Sequence, residues 1–224
     1  MPRFTGVQTL DGQDTEFCNI PAFELNFANA ARVASFNAGG TLSERLVAKV
    51  AWSSEGVHAY LRVFDSTIVS APNLTNIWNG DGAELLFSSS TALTGNTATD
   101  GNTYHVIVSP ASLSGGTSYV ASSRSSLGQG TQTALDPSRY VAVTLADGYA
   151  VELKLPWPML IPTVGSNIAF DAQLNSADGP MSTSDSYVRD AQAILYQGAG
   201  TANTCGTTIG PYCDDRLWCV VQLQ

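Results

Sequence analysis

Short runs of alternating apolar and polar residues recur along nearly the whole chain, and no long segment carries its apolar side chains at the spacing of a helix. The clearest run is 57–64 (VHAYLRVF). Val57, Ala59, Leu61 and Val63 share one face of a strand, and His58, Tyr60, Arg62 and Phe64 share the other. The run 46–52 (LVAKVAW) precedes it across Ser53-Ser54-Glu55-Gly56, a hairpin loop. A second hairpin joins 140–145 to 149–155 across Ala146-Asp147-Gly148, where glycine supplies the positive φ of a tight turn. Further strands are expected at 23–27, 83–87, 104–108, 118–124, 168–174, 191–196 and 217–223, with 128–137 as a connection. Pro156-Trp157-Pro158 stops the strand before it and starts one short helical turn. Many short strands with turn signals between them predict an all-β fold. The expectation is a single antiparallel β-sandwich, jelly-roll or immunoglobulin-like, spanning 1–224, with an inserted loop near 198–216.

Composition narrows the function. The chain has 224 residues, enough for one sandwich with a sizeable core. Only 13% of residues are charged, against a helical bundle with charged outer faces. The net charge is -9 and no basic run occurs, which argues against a nucleic-acid partner. No apolar stretch reaches the roughly 18 residues of a membrane span. The four cysteines, Cys18, Cys205, Cys213 and Cys219, fit an oxidising, secreted setting. They allow three pairings. The one adopted closes the 198–216 loop by Cys205–Cys213 and ties the N-terminal region to the last strand by Cys18–Cys219. Zinc is disfavoured, since there is no C-x-x-C pair and no histidine nearby. Met1-Pro2-Arg3 is consistent with a start left by removal of a leader.

The chemistry concentrates around Ile77-Trp78-Asn79-Gly80-Asp81-Gly82-Ala83-Glu84. Trp78 stands among small polar residues in a loop, and Glu84 opens a strand. An aromatic ring stacks on the C–H face of a sugar while a neighbouring carboxylate or amide takes its hydroxyls. The competing reading of Trp78 is packing at the rim. Asp81 reads as a turn cap, accepting from backbone amides just after it. Trp52, Trp157 and Trp218 read as core. A glycosidase would need two carboxylates flanking a bond, and only Glu84 and Glu152 offer a pair. Asp11, Asp14 and Glu16 form an acidic turn that suits Ca²⁺; Asp178, Asp185 and Asp190 make a weaker second cluster.

Four segments in order carry a resemblance: 59–65 (AYLRVFD), 77–87 (IWNGDGAELLF), 148–157 (GYAVELKLPW) and 165–175 with Asp178. Together they resemble the family 9 carbohydrate-binding modules, within the wider DOMON-like β-sandwich superfamily, over about residues 45 to 196. The resemblance implies a non-catalytic module that holds an attached or partner enzyme on an oligo- or polysaccharide. It makes Trp78 an aromatic wall, Glu84 a hydroxyl acceptor, and His105 and Asn175 polar contacts. Where a second aromatic wall is expected the chain has Ser176-Ala177-Asp178-Gly179, which brings in Asp178 and, further on, Tyr187. It also implies structural calcium and no organic cofactor. A monomer is expected. The alternatives are a b-type haem domain, using His105 with Met159 or Met181, and a structural or adhesion module.

Overall fold

The computed structural model describes residues 1–35, 42–69, 77–89, 103–110, 119–124, 133–157, 160–178, 189–196 and 217–224. The strands are β1 (Ala22–Asn26), β2 (Arg32–Ser35), β3 (Arg45–Ser53), β4 (Gly56–Phe64), β5 (Gly82–Ser88), β6 (Thr103–Pro110), β7 (Tyr119–Arg124), β8 (Thr133–Ala134), β9 (Tyr140–Leu145), β10 (Gly148–Pro156), β11 (Asn167–Ser176), β12 (Ala191–Ile194) and β13 (Cys219–Gln222). Among the described residues, all pairings between these strands are antiparallel. A five-stranded sheet runs β1-β3-β4-β10-β9. An eight-stranded sheet runs β2-β12-β11-β5-β6-β7-β8, with β13 also on β11. β12 and β13 share one edge of β11: β12 pairs with Gln173–Ser176 and β13 with Asn167–Phe170.

The alternation read from sequence decides which face of each sheet is buried. Val57, Ala59, Leu61 and Val63 of β4, with Tyr149, Val151, Leu153 and Leu155 of β10, line the inner face of the five-stranded sheet. They meet Ala83, Leu85 and Phe87 of β5 and Ile168, Phe170, Ala172 and Leu174 of β11. Each Val, Leu, Ile or Phe among them, fully buried, contributes about 1.5–3 kcal/mol. The β9–β10 hairpin turns at Gly148, whose φ is +134°. A Cβ there would stand 2.1 Å from the Val63 carbonyl, so no other residue fits without moving β4.

Both sheets therefore turn a second face outward, and both outer faces are largely covered. Over the five-stranded sheet the N-terminal segment lays Phe4, Phe17 and Ile20 on Ala51 and Tyr60. Over the eight-stranded sheet Leu217 and Trp218 cover Leu86 and Ala169. The chain ends meet. The Met1 nitrogen donates to the Gln222 carbonyl at 2.5 Å, and the Gln224 nitrogen to the Met1 carbonyl at 3.0 Å.

Two expectations are corrected here. Cys18 is an exposed free cysteine and Cys219 a half-buried one, so the expected Cys18–Cys219 tie is not formed. Cys18 follows the cluster outside the five-stranded sheet, whereas Cys219 opens β13 in the eight-stranded sheet. Cys205 and Cys213 lie outside the described residues, as does the 198–216 loop. β2 is a strand that the sequence reading missed, and the two-residue β8 falls within 128–137, which it read as a connection.

Candidate functional site

Glu84 stands on the outer face of the eight-stranded sheet, because its neighbours Ala83 and Leu85 face the core. The same parity turns His105 of β6, Gln173 and Asn175 of β11, and Gln192 of β12 to that side. The register brings these strands together around Glu84. The His105 imidazole meets its Oε2 through Nε2 at 2.6 Å. Asn175 Nδ2 donates to Oε1 at 2.7 Å, and Gln192 Nε2 donates to the same oxygen at 3.2 Å. Gln192 Nε2 also donates to Asn175 Oδ1 at 3.0 Å. Arg189 Nη1 donates to Asn175 Oδ1 at 3.2 Å, and its guanidinium carbon sits 5.2 Å from the centre of the Trp78 ring. Trp78 is half-buried on a 3₁₀ turn, Ile77–Asn79, just ahead of β5.

Glu84 is 2% exposed, yet it is held ionised. Burial pushes its carboxyl up, but the His105 bond and charge, the Arg189 charge and the Asn175 bond outweigh it and hold it below the usual carboxylate range. A carboxylate accepts about four hydrogen bonds. Three are made, which leaves Glu84 room for a further donor such as a hydroxyl. Because Glu84 accepts at Nε2, that nitrogen carries the proton, and His105 Nδ1 is buried with no partner. Both amide atoms of Gln173, fully buried beside Glu84, also lack partners. Unmatched buried donors and acceptors are rare in folded proteins and gather where a ligand completes them. The arrangement is a fixed set of polar groups next to one aromatic ring, able to bind a polyhydroxylated ligand.

Residues 14–202 match the model of the family described as carbohydrate family 9 binding domain-like. The chain belongs to that family. Its activity is non-catalytic carbohydrate binding. The module is similar in fold to a family 9 carbohydrate-binding module from Caldicellulosiruptor kristjanssonii. In complex with glucose, that protein aligns with TM-score 0.64 and 18% identity over 100% of this chain and 95% of that one. In complex with cellotriose, the values are 0.64, 18%, 100% and 93%. A putative carbohydrate-binding protein from Bacteroides uniformis aligns at TM-score 0.54 and 6% identity, over 92% and 87% of the two chains. No curated protein matches the module.

The structure brings Glu84, His105 and Asn175 together, reaches Trp78 through Arg189, and adds Gln192 and Gln173. Asp178 goes elsewhere. It joins Glu44 and Asp65, and the three offer oxygens within 4.8 Å of one another. Tyr187 and Asp185 lie outside the described residues. Asp81 is not a local turn cap. It is 1% exposed and accepts from the distant amides of Val69 and, at 2.7 Å, Ala177, so it ties two loops. Burial, then the neighbouring Asp65 carboxyl, pushes Asp81 up to about 9. Burial likewise raises Glu44 to about 7 and Asp65 to about 6.

Glu84 and Glu152 cannot flank one bond, since they stand on the outer faces of different sheets. Of the proposed calcium ligands, Asp14 pairs instead with Lys49 at 2.6 Å. Asp11 and Glu16 group with Glu152, but these carboxyl groups already accept from the amides of Gln13, Thr9, Asp11 and Gly12. In place of a haem ligand, His105 offers a Nε2 already engaged by Glu84, and Met159 and Met181 lie outside the described residues. Trp52 and Trp157 are core, Trp157 meeting Phe87 edge-on at 5.9 Å. Trp218 is buried too, but on the outer side of the eight-stranded sheet.

Proposed function

We propose that the outer face of the eight-stranded sheet binds a β-linked glucan, and that the module acts outside the cell, as a monomer, to hold an attached or partner enzyme on that polymer. The observation that carries the reading is the Glu84 network: an ionised, buried carboxylate fed by His105, Asn175 and Gln192, with Arg189 linking Asn175 to the Trp78 ring. A glucose unit presents an apolar C–H face to the ring and hydroxyls to the carboxylate and amides. Glucose and cellotriose, bound by the Caldicellulosiruptor kristjanssonii module, are the first ligands to try. One aromatic ring and a few polar groups bury little area, so the affinity is modest.

The test is calorimetric titration of the chain with glucose, cellobiose and cellotriose, repeated on Trp78→Ala and Glu84→Gln. Glu84→Gln is expected to weaken cellotriose binding about 100-fold, the cost of a lost charged acceptor. Trp78→Ala is expected to abolish measurable binding. Full affinity in both variants would overturn the assignment of the site.

A further inference from the structure

The N-terminal segment crosses the outer face of the five-stranded sheet and leaves a cleft of about 350 Å³ beside the β3–β4 hairpin. That is the size of a small-molecule site, roughly 300–1,000 Å³. Arg3 and Gln8 line it from the segment, Ser53 and Glu55 from the hairpin, His58 from β4 and Lys154 from β10. Backbone fixes the segment in place. The Trp52 amide donates to the Pro2 carbonyl at 3.1 Å, and the Phe4 amide to the Trp52 carbonyl at 2.7 Å. Phe4 also stacks on the His58 ring at 4.4 Å. A cleft formed in advance lowers the ordering cost of binding.

The hydrogen bonds around His58 fix what the cleft offers. Gln8 Nε2 donates to the Leu153 carbonyl at 3.2 Å, which leaves Gln8 Oε1 to accept from His58 Nδ1 at 2.8 Å. Nε2 of this neutral ring then accepts from Ser53 Oγ at 2.7 Å. Ser53 Oγ also accepts from the Glu55 amide at 3.0 Å. Its hydrogen is committed, and one lone pair remains to accept. Lys154 Nζ spends one of its three hydrogens on Glu55, at 2.6 Å. Among the described residues Arg3 forms no ion pair, and its guanidinium carbon lies 6.0 Å from the centre of the Trp52 ring. The local field is positive although the chain carries a net charge of -9: at His58 the Lys154 charge outweighs that of Glu55.

We infer that this cleft binds a carboxylated sugar, with its carboxylate on Lys154 and Arg3 and a hydroxyl donating to Ser53. Charged donors beside a hydroxyl acceptor select a ligand that is both anionic and hydroxylated. A bare anion leaves the Ser53 lone pair unmatched, and a neutral sugar leaves the two cations unmatched. The sugar acid is free or is a side group of a polysaccharide; both present the same chemistry to the cleft. The site is distinct from the glucan face. It lies on the other sheet, and the ionised Glu84 repels a carboxylate. It stands without the glucan reading.

The experiment is calorimetric titration of the full chain with glucuronate, at low and at physiological salt. Acetate, glucose and a glucuronate-bearing xylo-oligosaccharide are run beside it, and the variants are Lys154→Met, Arg3→Ala and Glu84→Gln. One glucuronate per chain is expected, held weakly, with affinity falling as salt rises. Lys154→Met and Arg3→Ala each weaken it about tenfold. Both keep the wild-type Tm, since an exposed ion pair adds little stability, and both keep the cellotriose affinity. Glu84→Gln leaves glucuronate binding unchanged. Acetate and glucose bind about tenfold more weakly or worse. No glucuronate binding, or binding that survives in both cleft variants, overturns the site. Acetate binding as tight as that of glucuronate overturns the hydroxyl contact and with it the sugar. The oligosaccharide is expected to bind at least as tightly as the free acid; its failure to bind overturns a polymer source. Glucuronate binding in a chain that takes no cellotriose keeps the cleft and sinks the glucan reading.

Discussion

Each sheet carries on its outer face a glutamate that is almost wholly buried, and the two are put to different uses. Glu152 of the five-stranded sheet is gripped by backbone. The amides of Asp11 and Gly12 donate to its Oε2 at 2.7 and 2.6 Å, and Gln8 Nε2 approaches Oε1 at 3.4 Å. Gly12 has φ +81°, and a Cβ there would stand 2.7 Å from Val143, so the N-terminal loop is moulded onto the strand. Burial prevails over these bonds and leaves the Glu152 carboxyl raised. Glu84 of the eight-stranded sheet is fed by side chains from three other strands, and their bonds and charges prevail over burial. Backbone donors from one loop make a latch. Side-chain donors from several strands, with unmatched amide and imidazole atoms beside them, suit the receptor proposed above.

That contrast can be broken experimentally. The largest effect is expected from Glu152→Ala, which strands two backbone amides and costs about 3 kcal/mol of stability in urea unfolding. Cellotriose affinity of the folded variant is expected to stay at the wild-type value. A matching loss of sugar binding would erase the distinction between the two faces.

The second effect concerns His58, also on the latched face. Its Nδ1 donates to Gln8 Oε1 at 2.8 Å, its Nε2 meets Ser53 Oγ at 2.7 Å, and Phe4 stacks on the ring at 4.4 Å. Burial, then the Lys154 charge, holds the imidazole down at about 4 against its usual 6.5, with Glu55 opposing weakly. Above pH 6.5 neither folded nor unfolded chain is protonated here, and the full stability is present. Between 6.5 and 4 the unfolded chain takes up a proton that the folded chain refuses, so stability falls with pH. The loss is about 2 kcal/mol, measured as the difference in urea midpoint between wild type and His58→Asn across that range. Equal pH slopes in the two chains would contradict the buried, neutral ring.

The smallest effect sharpens the receptor side. Arg189→Lys keeps the charge but loses the planar contact with Trp78 and the guanidinium bond to Asn175. Cellotriose binding is expected to weaken about fivefold, near 1 kcal/mol, with the thermal midpoint unmoved. A drop in midpoint with intact affinity would make Arg189 a structural strut.

Most of the strands were legible because alternation with period two leaves few other ways to bury Val57, Leu61, Val151 or Leu153. β2 was not, since Arg-Val-Ala-Ser offers one large apolar side chain and Val33 is 38% exposed. Trp78, Glu84 and Asn175 came from ordered motifs, and His105 from its place on the neighbouring strand in the family resemblance. Gln192 had a signal in parity: Ala191 and Ala193 flank it, so a buried β12 must turn its amide to the site face. Arg189 had none, because a charge just before a strand reads as solvated. Asp81, Asp178 and the cysteines show what local pattern omits. Their partners depend on which loops the two sheets bring together, and no spacing along the chain encodes that.

The joined chain ends have a further consequence. Gln222 pairs with Asn167, at the opposite end of β11 from Asn175, about 26 Å away at the rise of an extended strand. A neighbour fused at either end is anchored at the same corner, behind the sugar face. Order of fusion then changes little in reach or aim, and a circularly permuted chain, its old ends bridged by a few residues, is expected to keep its carbohydrate affinity.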